Sequence, residues 1–337
     1  MFTENSEPLK DVLSHYNIDV IGIKNESYKD KKGVWWIQTP KGYKILKKVS
    51  NSENTLKFTI SAVYHLIENG VHIPLINKTI TGDDYVKIND ICYVLSDAID
   101  GRNPSYSSQN ELSIIVKELA KFHKASKGFF PAADCKPKNH LGIWIEDYTN
   151  QIEDMNGFYT AEHLKEENII SRFILQEFPY FYERAKESIK SLDSNAYWDW
   201  VTKSKNTGGL CHQDFAAGNL LISQAGFYVL DTDSITIDIP ARDLRKLFNK
   251  IMKKLGKWDI NLTKKIMDYY QSENPLTKDE WLVVKYDLMF PHLFIGAMNK
   301  YYYQRDKEWD VRKYYERLKE MSDFEKTKSD LLNKALL

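Results

Sequence analysis

The chain has 337 residues, 42% of them hydrophobic, with 47 basic and 47 acidic side chains and a net charge of zero. That length exceeds one ordinary compact domain and fits two lobes around a cleft, and the hydrophobic share excludes a disordered chain. The charge balance leaves no global field to draw the protein onto nucleic acid or an anionic membrane, so an anionic ligand is expected to be held by local groups.

The opening MFTENSEPLK lacks the basic and apolar regions of a secretory signal. No apolar run approaches the ~20 residues needed to span a bilayer. Cys92, Cys135 and Cys211 are too few and too widely spaced for a disulfide framework or a zinc site. The expectation is an intracellular protein without a membrane or nucleic-acid partner.

In chain order, VWWIQT (34–39) and YKILKKVS (43–50) flank Pro40, Lys41 and Gly42 and read as a β-hairpin. In LKFTISAVYHLIENG (56–70) the residues Leu56, Ile60, Val63, Leu66 and Ile67 recur at helical spacing, with Gly70 as a C-cap. Short strands are expected at YVKI (85–88) and ICYVLS (91–96). The polar segment DAIDGRNPSYSS (97–108) reads as a connector and lobe boundary. Beyond it the pattern turns helical. ELSIIVKELAKFHKAS (111–126) places Leu112, Ile115, Leu119, Phe122 and His123 on one face. Helical segments follow at roughly 165–192, 241–255, 260–272 and 278–330, with one β interruption at 219–235.

That interruption carries the chemistry. In LCHQDFAAGNLLISQAGFYVLDTDS (210–234), His212, Asp214 and Asn219 are spaced as H-x-D-x-x-x-x-N, and Asp231 ends the apolar run FYVL (227–230). LLIS (220–223) and FYVL read as strands joined by a three-residue turn, Gln224 to Gly226, centred on Ala225. Asn219 and Asp231 lie equally far from that centre, so they are expected opposite one another, with Cα atoms ~4.5–5.5 Å apart. An amide oxygen and a carboxylate oxygen there suit a hard cation such as Mg²⁺. Asp214, on the loop before the first strand, can present its carboxylate to a substrate hydroxyl, the arrangement phosphoryl transfer requires. His212, so close to Asp214, reads first as a hydrogen-bonding brace for the loop and second as a proton carrier. The aromatic clusters YFYER (180–184), YWDW (197–200) and YYYQRDKEWD (301–310) read as packing residues or as stacking faces for an acceptor, with Glu146, Asp147 and Asp154 as acids that favour a cation.

CHQDFAAGNLL, YVLDTDS and DIPARDL (238–244) resemble the aminoglycoside phosphotransferase and choline-kinase-like superfamily, and LAKFHKAS (119–126) resembles its helix beneath the catalytic loop. Within it the chain most resembles the CotS-type spore coat proteins of Bacillus, over about residues 20 to 325. The resemblance implies an α+β, bilobal protein-kinase-like fold. Residues 1–98 would form a small β-rich N-lobe that binds nucleotide, and 99–337 a large, mainly helical C-lobe with the catalytic loop and metal-binding hairpin. It implies an ATP- and Mg²⁺-dependent transfer of the γ-phosphoryl to a small-molecule hydroxyl acceptor. Asp214 matches the catalytic aspartate, Asn219 and Asp231 the magnesium ligands, and Lys47 the strand lysine that contacts the α- and β-phosphates. Ile45 shares a strand face with Lys47 and would lie against adenine, and the carbonyl of Asp97 and the N–H of Ile99 would meet the adenine edge. Asp243 would tie the following helix to the catalytic loop, and Asp233 stands near the metal strand. By the same resemblance, the protein would act in the mother-cell cytoplasm and join other proteins of the spore coat.

Three departures stand out. Gln213 replaces the usual Gly or Arg, and IGIKNESYKDKKG (21–33) is poor in glycine and leaves phosphate binding to Ser27 or nearby backbone. The helix after the lysine strand offers Thr59, Ser61 and the earlier Glu53 where an acid would pair with Lys47. These keep open a second reading, a catalytically weak kinase-fold component of the coat that binds or senses nucleotide.

Overall fold

The computed structural model describes residues 7–29, 32–164, 168–305 and 308–335. The first six residues of the opening segment, positions 30 and 31 of the 21–33 segment, 165–167 of the expected helix at 165–192, and 306 and 307 of the aromatic stretch 301–310 lie outside the described residues. The chain divides into two compact units, one formed by Met1–Ser105, Phe129–Lys138 and Ala217–Ile235, the other by Tyr106–Gly128, Asn139–Ala216 and Thr236–Leu337. The first is β-rich and the second, larger one is mainly helical, as the α+β expectation requires.

In the first unit β1 (Gly22–Lys29), β2 (Lys32–Thr39), β3 (Gly42–Val49), β4 (Val86–Ile88) and β5 (Ile91–Asp97) form an antiparallel sheet in the order β1-β2-β3-β5-β4. Alternation of side chains across the pleat gives the sheet two different faces. Trp35, Ile37, Leu46, Tyr93 and Leu95 bury one face against Val12 and Leu13 of α1 (Leu9–Ser14), a helix not expected from the sequence. Val34, Trp36, Ile45, Lys47, Val94 and Ser96 lie on the other. α2 (Glu53–Glu68) begins at Ser52, whose hydroxyl accepts from the Thr55 N–H at 3.3 Å. It ends where the Gly70 N–H donates to the Ile67 carbonyl and the Val71 N–H to that of Leu66, the paired bonds of a Schellman cap. Gly70 takes φ +88, the left-handed conformation this cap demands.

In the second unit α3 (Gln109–Ala125) buries Leu112, Ile115, Leu119, Phe122 and His123 as its periodicity predicts. α4 (Trp144–Glu162) and α6 (Asn195–Thr207) were not expected, and α5 (Ile169–Leu192) lies between them. The two-residue strands β6 (Leu210–Cys211) and β9 (Thr236–Ile237) pair antiparallel. After α7 (Ala241–Lys254) and α8 (Ile260–Gln271), the expected helical stretch 278–330 resolves into α9 (Lys278–Met289), α10 (His292–Tyr302) and α11 (Val311–Ala335). Pro291 ends α9, since it holds Phe290 extended at ψ 132.

Candidate active site

The three lysines of β3 look alike in sequence, and the pleat separates them. Lys44 pairs with Asp97 at 2.6 Å, and Lys48, on the same face, with the buried Glu7 at 2.5 Å. Lys47 points to the opposite face, where its Nζ lies 3.1 Å from Asp231 Oδ1 and 3.8 Å from Asp233 Oδ1. Burial opposes the Lys47 charge, but Asp233 and Asp231 outweigh it and hold the ammonium above its usual range. No acid reaches Lys47 from α2 among the described residues. Thr59 bonds the Thr55 carbonyl of its own helix, and Glu53 accepts from Tyr85 at 2.6 Å and Lys87 at 2.9 Å. The aspartates of the hairpin take that place.

The hairpin pairs β7 (Leu220–Ser223) with β8 (Gly226–Val229), and Ser223 lies opposite Gly226 across a two-residue turn rather than the expected three. The register therefore shifts by one. The Leu230 N–H donates to the Asn219 carbonyl at 2.8 Å, and Asp231 follows one residue past the position opposite Asn219. Asp231 itself adopts φ 55 and turns the chain into the short 3-10 segment Thr232–Ser234. A non-glycine residue held there stores about 1–3 kcal/mol of strain, which packing and pairing must sustain. Gly226 takes φ +133, and a Cβ at that position would stand 2.6 Å from His72 Nδ1.

The connector does more than join segments. The Arg102 N–H donates to the Ile222 carbonyl at 3.1 Å and the Ile222 N–H returns the bond at 2.8 Å, so a single antiparallel bridge ties the connector to the hairpin. Asn103 Nδ2 donates to the carbonyls of Ala217, Gly218 and Leu220, at 3.2, 3.3 and 2.8 Å, and fixes the turn that carries Asn219. The Asn-Pro pair reads in sequence as a plain loop signal, which is why this role is not legible there.

These elements enclose a cavity of about 660 Å³ within the first unit, a size typical of small-ligand sites. Its apolar lining comes from Ile45, Val94, Ile60, Val63, Leu221 and Leu230. Lys47, Asn219, Asp231 and Asp233 also line it, as do Asp97 and Ile99 of the connector. Ile45 and Lys47 thus share one face and one cavity. Asp97 is anchored by Lys44 and by Asn77 Nδ2 at 2.7 Å. Within the segment 21–33, residues 22–29 belong to β1 and 32–33 to β2, with a bulge between Asn25 and Ser27. Glu26, at that bulge, lines the cavity and accepts from Trp36 Nε1 at 3.0 Å, whereas Ser27 lies opposite Val34 in the ladder. Two carboxylates and an amide oxygen form a hard donor set that suits a divalent cation of the Mg²⁺ type.

The second unit holds His212, Gln213 and Asp214 on the loop after β6. Asp243, in the first turn of α7, accepts from the His212 N–H at 2.6 Å, the Gln213 N–H at 2.8 Å and His123 Nε2 at 3.1 Å. Burial pushes the Asp243 carboxyl up, but the hydrogen bond and charge of His123 outweigh it and hold the group below its usual range. His212 is wholly buried, lies edge-on to Phe122 and Phe215, and accepts from the Asp214 N–H at 3.3 Å through Nδ1. This is the geometry of a brace. His123, Cys211 and Asp243 bring ligand atoms within 4.8 Å of one another, but His123 is engaged by Tyr270 and Asp243, and Cys211 by the Ile239 carbonyl. The cluster therefore serves as a hydrogen-bonded support.

Gln213 adopts φ 72, a left-handed conformation that glycine takes without steric cost. Lys246 Nζ secures it by donating to the Gln213 carbonyl at 2.8 Å and to Oε1 at 2.5 Å. Burial first, and the charge of Arg245 second, lower the Lys246 ammonium to about 8. Half-exposed Asp214 forms an ion pair through Oδ1 with Lys250 Nζ. Sequence reasoning missed both lysines, because a lysine-rich helix face normally reads as solvated surface.

Of the expected acceptor aromatics some are engaged in packing, while Tyr180, Trp198 and Tyr303 are exposed. Phe181 stacks on Phe294, Tyr302 stacks on Phe158, and Tyr197 and Trp200 are buried. Asp147 and Asp154 accept from Gln151 and Tyr303, and Glu146 lies exposed on α4.

The fold is that of the kinase-like phosphotransferases. An aminoglycoside phosphotransferase from Alicyclobacillus acidocaldarius superposes with a TM-score of 0.79 at 18% identity, covering 97% of this chain and 94% of the other. Spectinomycin phosphotransferase APH(9)-Ia, solved with ADP and spectinomycin, superposes with a TM-score of 0.65 at 14% identity over 96% of both chains. The chain belongs to the family described as "Spore coat putative kinase YutH", which matches residues 10–335. It is 29% identical to spore coat protein S of Bacillus subtilis (strain 168) over 326 residues, 97% of this chain and 93% of the relative.

Proposed function

We propose that the chain is an ATP- and Mg²⁺-dependent phosphotransferase associated with the spore coat, which moves the γ-phosphoryl of ATP to the hydroxyl of a small molecule. The observation that carries this reading is the convergence of Lys47, Asp231 and Asp233 on one apolar-lined cavity. Ile45 and the connector around Asp97 and Ile99 would receive the adenine, and Lys47 the α- and β-phosphates. Asn219 and Asp231 would hold Mg²⁺, with Asp233 beside them. The cation would neutralise phosphate charge when bound.

Asp214 stands five residues before Asn219 in the chain. In the proposed transfer the acceptor oxygen bonds to the γ-phosphorus, the bond from that phosphorus to the β–γ bridging oxygen breaks, and ADP leaves. Asp214 takes the hydroxyl proton. His212 and Asp243 hold the loop rather than exchange protons. The spore-coat relatives support an association with the coat, and action in the mother-cell cytoplasm is part of the proposal. Among the described residues no helix is long and apolar enough to cross a membrane.

One observation favours the alternative of a nucleotide-binding coat component without turnover. Asp231 and Asp214 are each ion-paired to a lysine. The test is Asp214→Ala, assayed for nucleotide affinity and for ADP release with an acceptor panel. Affinity is expected to stay within about twofold of wild type while turnover disappears, since removal of a general base costs about 10²–10⁴ in rate. Retained turnover in the variant would reject the assignment, and no turnover in wild type despite tight Mg–ATP binding would favour the alternative.

A further inference from the structure

Two cationic side chains of α7 contact Asp214 and its loop. Lys250 meets the carboxylate itself, and Lys246, one turn earlier on the same face of α7, holds Gln213 by backbone and side chain. The acid on α7, Asp243, is wholly buried and committed to His123 and two backbone N–H groups. Of the acids that the sequence offered for a cationic acceptor, Asp147 and Asp154 are bound to Gln151 and Tyr303. The Lys250 side chain is 34% exposed and that of Asp214 50%, so their ion pair is open to exchange with an incoming ligand.

We propose that Lys250, backed by Lys246, is the recognition site for a negatively charged group on the acceptor, so that the hydroxyl compound phosphorylated at Asp214 is an anionic one, a phosphate- or carboxylate-bearing alcohol. This rests on the phosphotransferase reading above. A cationic acceptor would have to bring its ammonium against Lys250 and Lys246. An anionic one gives Lys250 a new partner, and Lys250 then leaves Asp214. A carboxylate that loses its lysine partner becomes more basic, so binding of the correct acceptor prepares the base for the hydroxyl proton. The acceptor's charge thereby both selects it and activates the site.

The experiment is isothermal titration of a matched series, glucose 6-phosphate, gluconate, glucose and glucosamine, into wild type, Lys250→Gln and Lys246→Gln, each with and without saturating Mg²⁺ and AMP-PNP. Lys250→Gln removes the charge and keeps a polar group on a partly exposed side chain, and circular dichroism verifies its fold. One or both anionic sugars are expected to bind with the nucleotide analogue in place, tighter than glucose and glucosamine, and to lose about tenfold or more in affinity in Lys250→Gln, with a smaller loss in Lys246→Gln. The two anions separate a phosphate from a carboxylate preference. Tighter binding of glucosamine, anion affinity unchanged in Lys250→Gln, no binding of either anion, or displacement of the anion by AMP-PNP would each overturn the proposal, the last by assigning Lys250 to the nucleotide phosphates. Binding of AMP-PNP itself, and its loss in Lys47→Met, reports separately on the phosphotransferase reading.

Discussion

Removal of the Asp243 carboxylate tests how the loop of His212, Gln213 and Asp214 is held. The group is 1% exposed and accepts hydrogen bonds from the N–H groups of His212 and Gln213 and from His123 Nε2. A hydrogen bond to a charged group contributes about 1.5–3 kcal/mol, and a buried donor left without a partner costs about 1–3 kcal/mol. The His212 N–H cannot turn to water, because the residue is wholly buried. Asp243→Ala is therefore expected to lose about 3–5 kcal/mol, from hydrogen bonds to a buried carboxylate together with the donors left unpaired, out of a total of about 5–15 kcal/mol. Asp243→Asn keeps one acceptor oxygen and should lose about half as much. Urea unfolding at an unchanged m-value measures both. A loss below about 1 kcal/mol for Asp243→Ala would show that the loop is held by something other than this carboxylate.

Gln213→Ala and Gln213→Gly remove the same contact to Lys246, so their difference isolates the backbone. Glycine is expected to be more stable by about 1 kcal/mol at φ 72, and equal stability by urea unfolding would refute the strain. The second unit should also be acid-labile at His292, whose imidazole burial and then the Arg245 charge lower from 6.5 to about 3. Between those values the unfolded chain binds a proton that the folded chain does not. Stability is thus fully present above 6.5 and lost as pH falls toward 3, with a slope on the order of 1 kcal/mol per pH unit. His292→Gln should flatten that slope in urea titrations from neutral to acid pH, and an unchanged slope would contradict it.

Much of this site can be read from the sequence because its elements have short periods. A period of two puts Ile45 and Lys47 on one face of β3 and sends Lys44 and Lys48 to the other. A period of 3.6 places His123 on the buried face of α3, where it meets Asp243. The failures come where one residue of backbone decides. A turn shorter by one residue moved Asp231 past Asn219, since register is set by the turn and not by the strands alone. Pairing set by tertiary contact is invisible in the same way. Nothing in the run of basic residues on α7 distinguishes Lys246 and Lys250, which meet the loop, from Lys253 or Lys254. Nothing in Gly-Arg-Asn-Pro announces that Asn103 will hold three carbonyls. α4 and α6 were missed for a simpler reason, as their buried Trp144, Tyr148, Tyr197 and Trp200 are aromatics, which also suit a ligand-binding surface.

The cavity beside Lys47 is proposed to bind a magnesium nucleotide through Asp231. A thermal-shift titration with ATP, ADP and adenosine, each with and without Mg²⁺, on wild type and Asp231→Asn, tests it most directly. A ligand that binds only the folded chain stabilises it by about 2.7 kcal/mol at about 100 times its Kd. The account predicts a Mg²⁺-dependent shift with ATP that disappears in Asp231→Asn. A shift of equal size with adenosine alone, an ATP shift that survives the substitution, or no shift at all would contradict it.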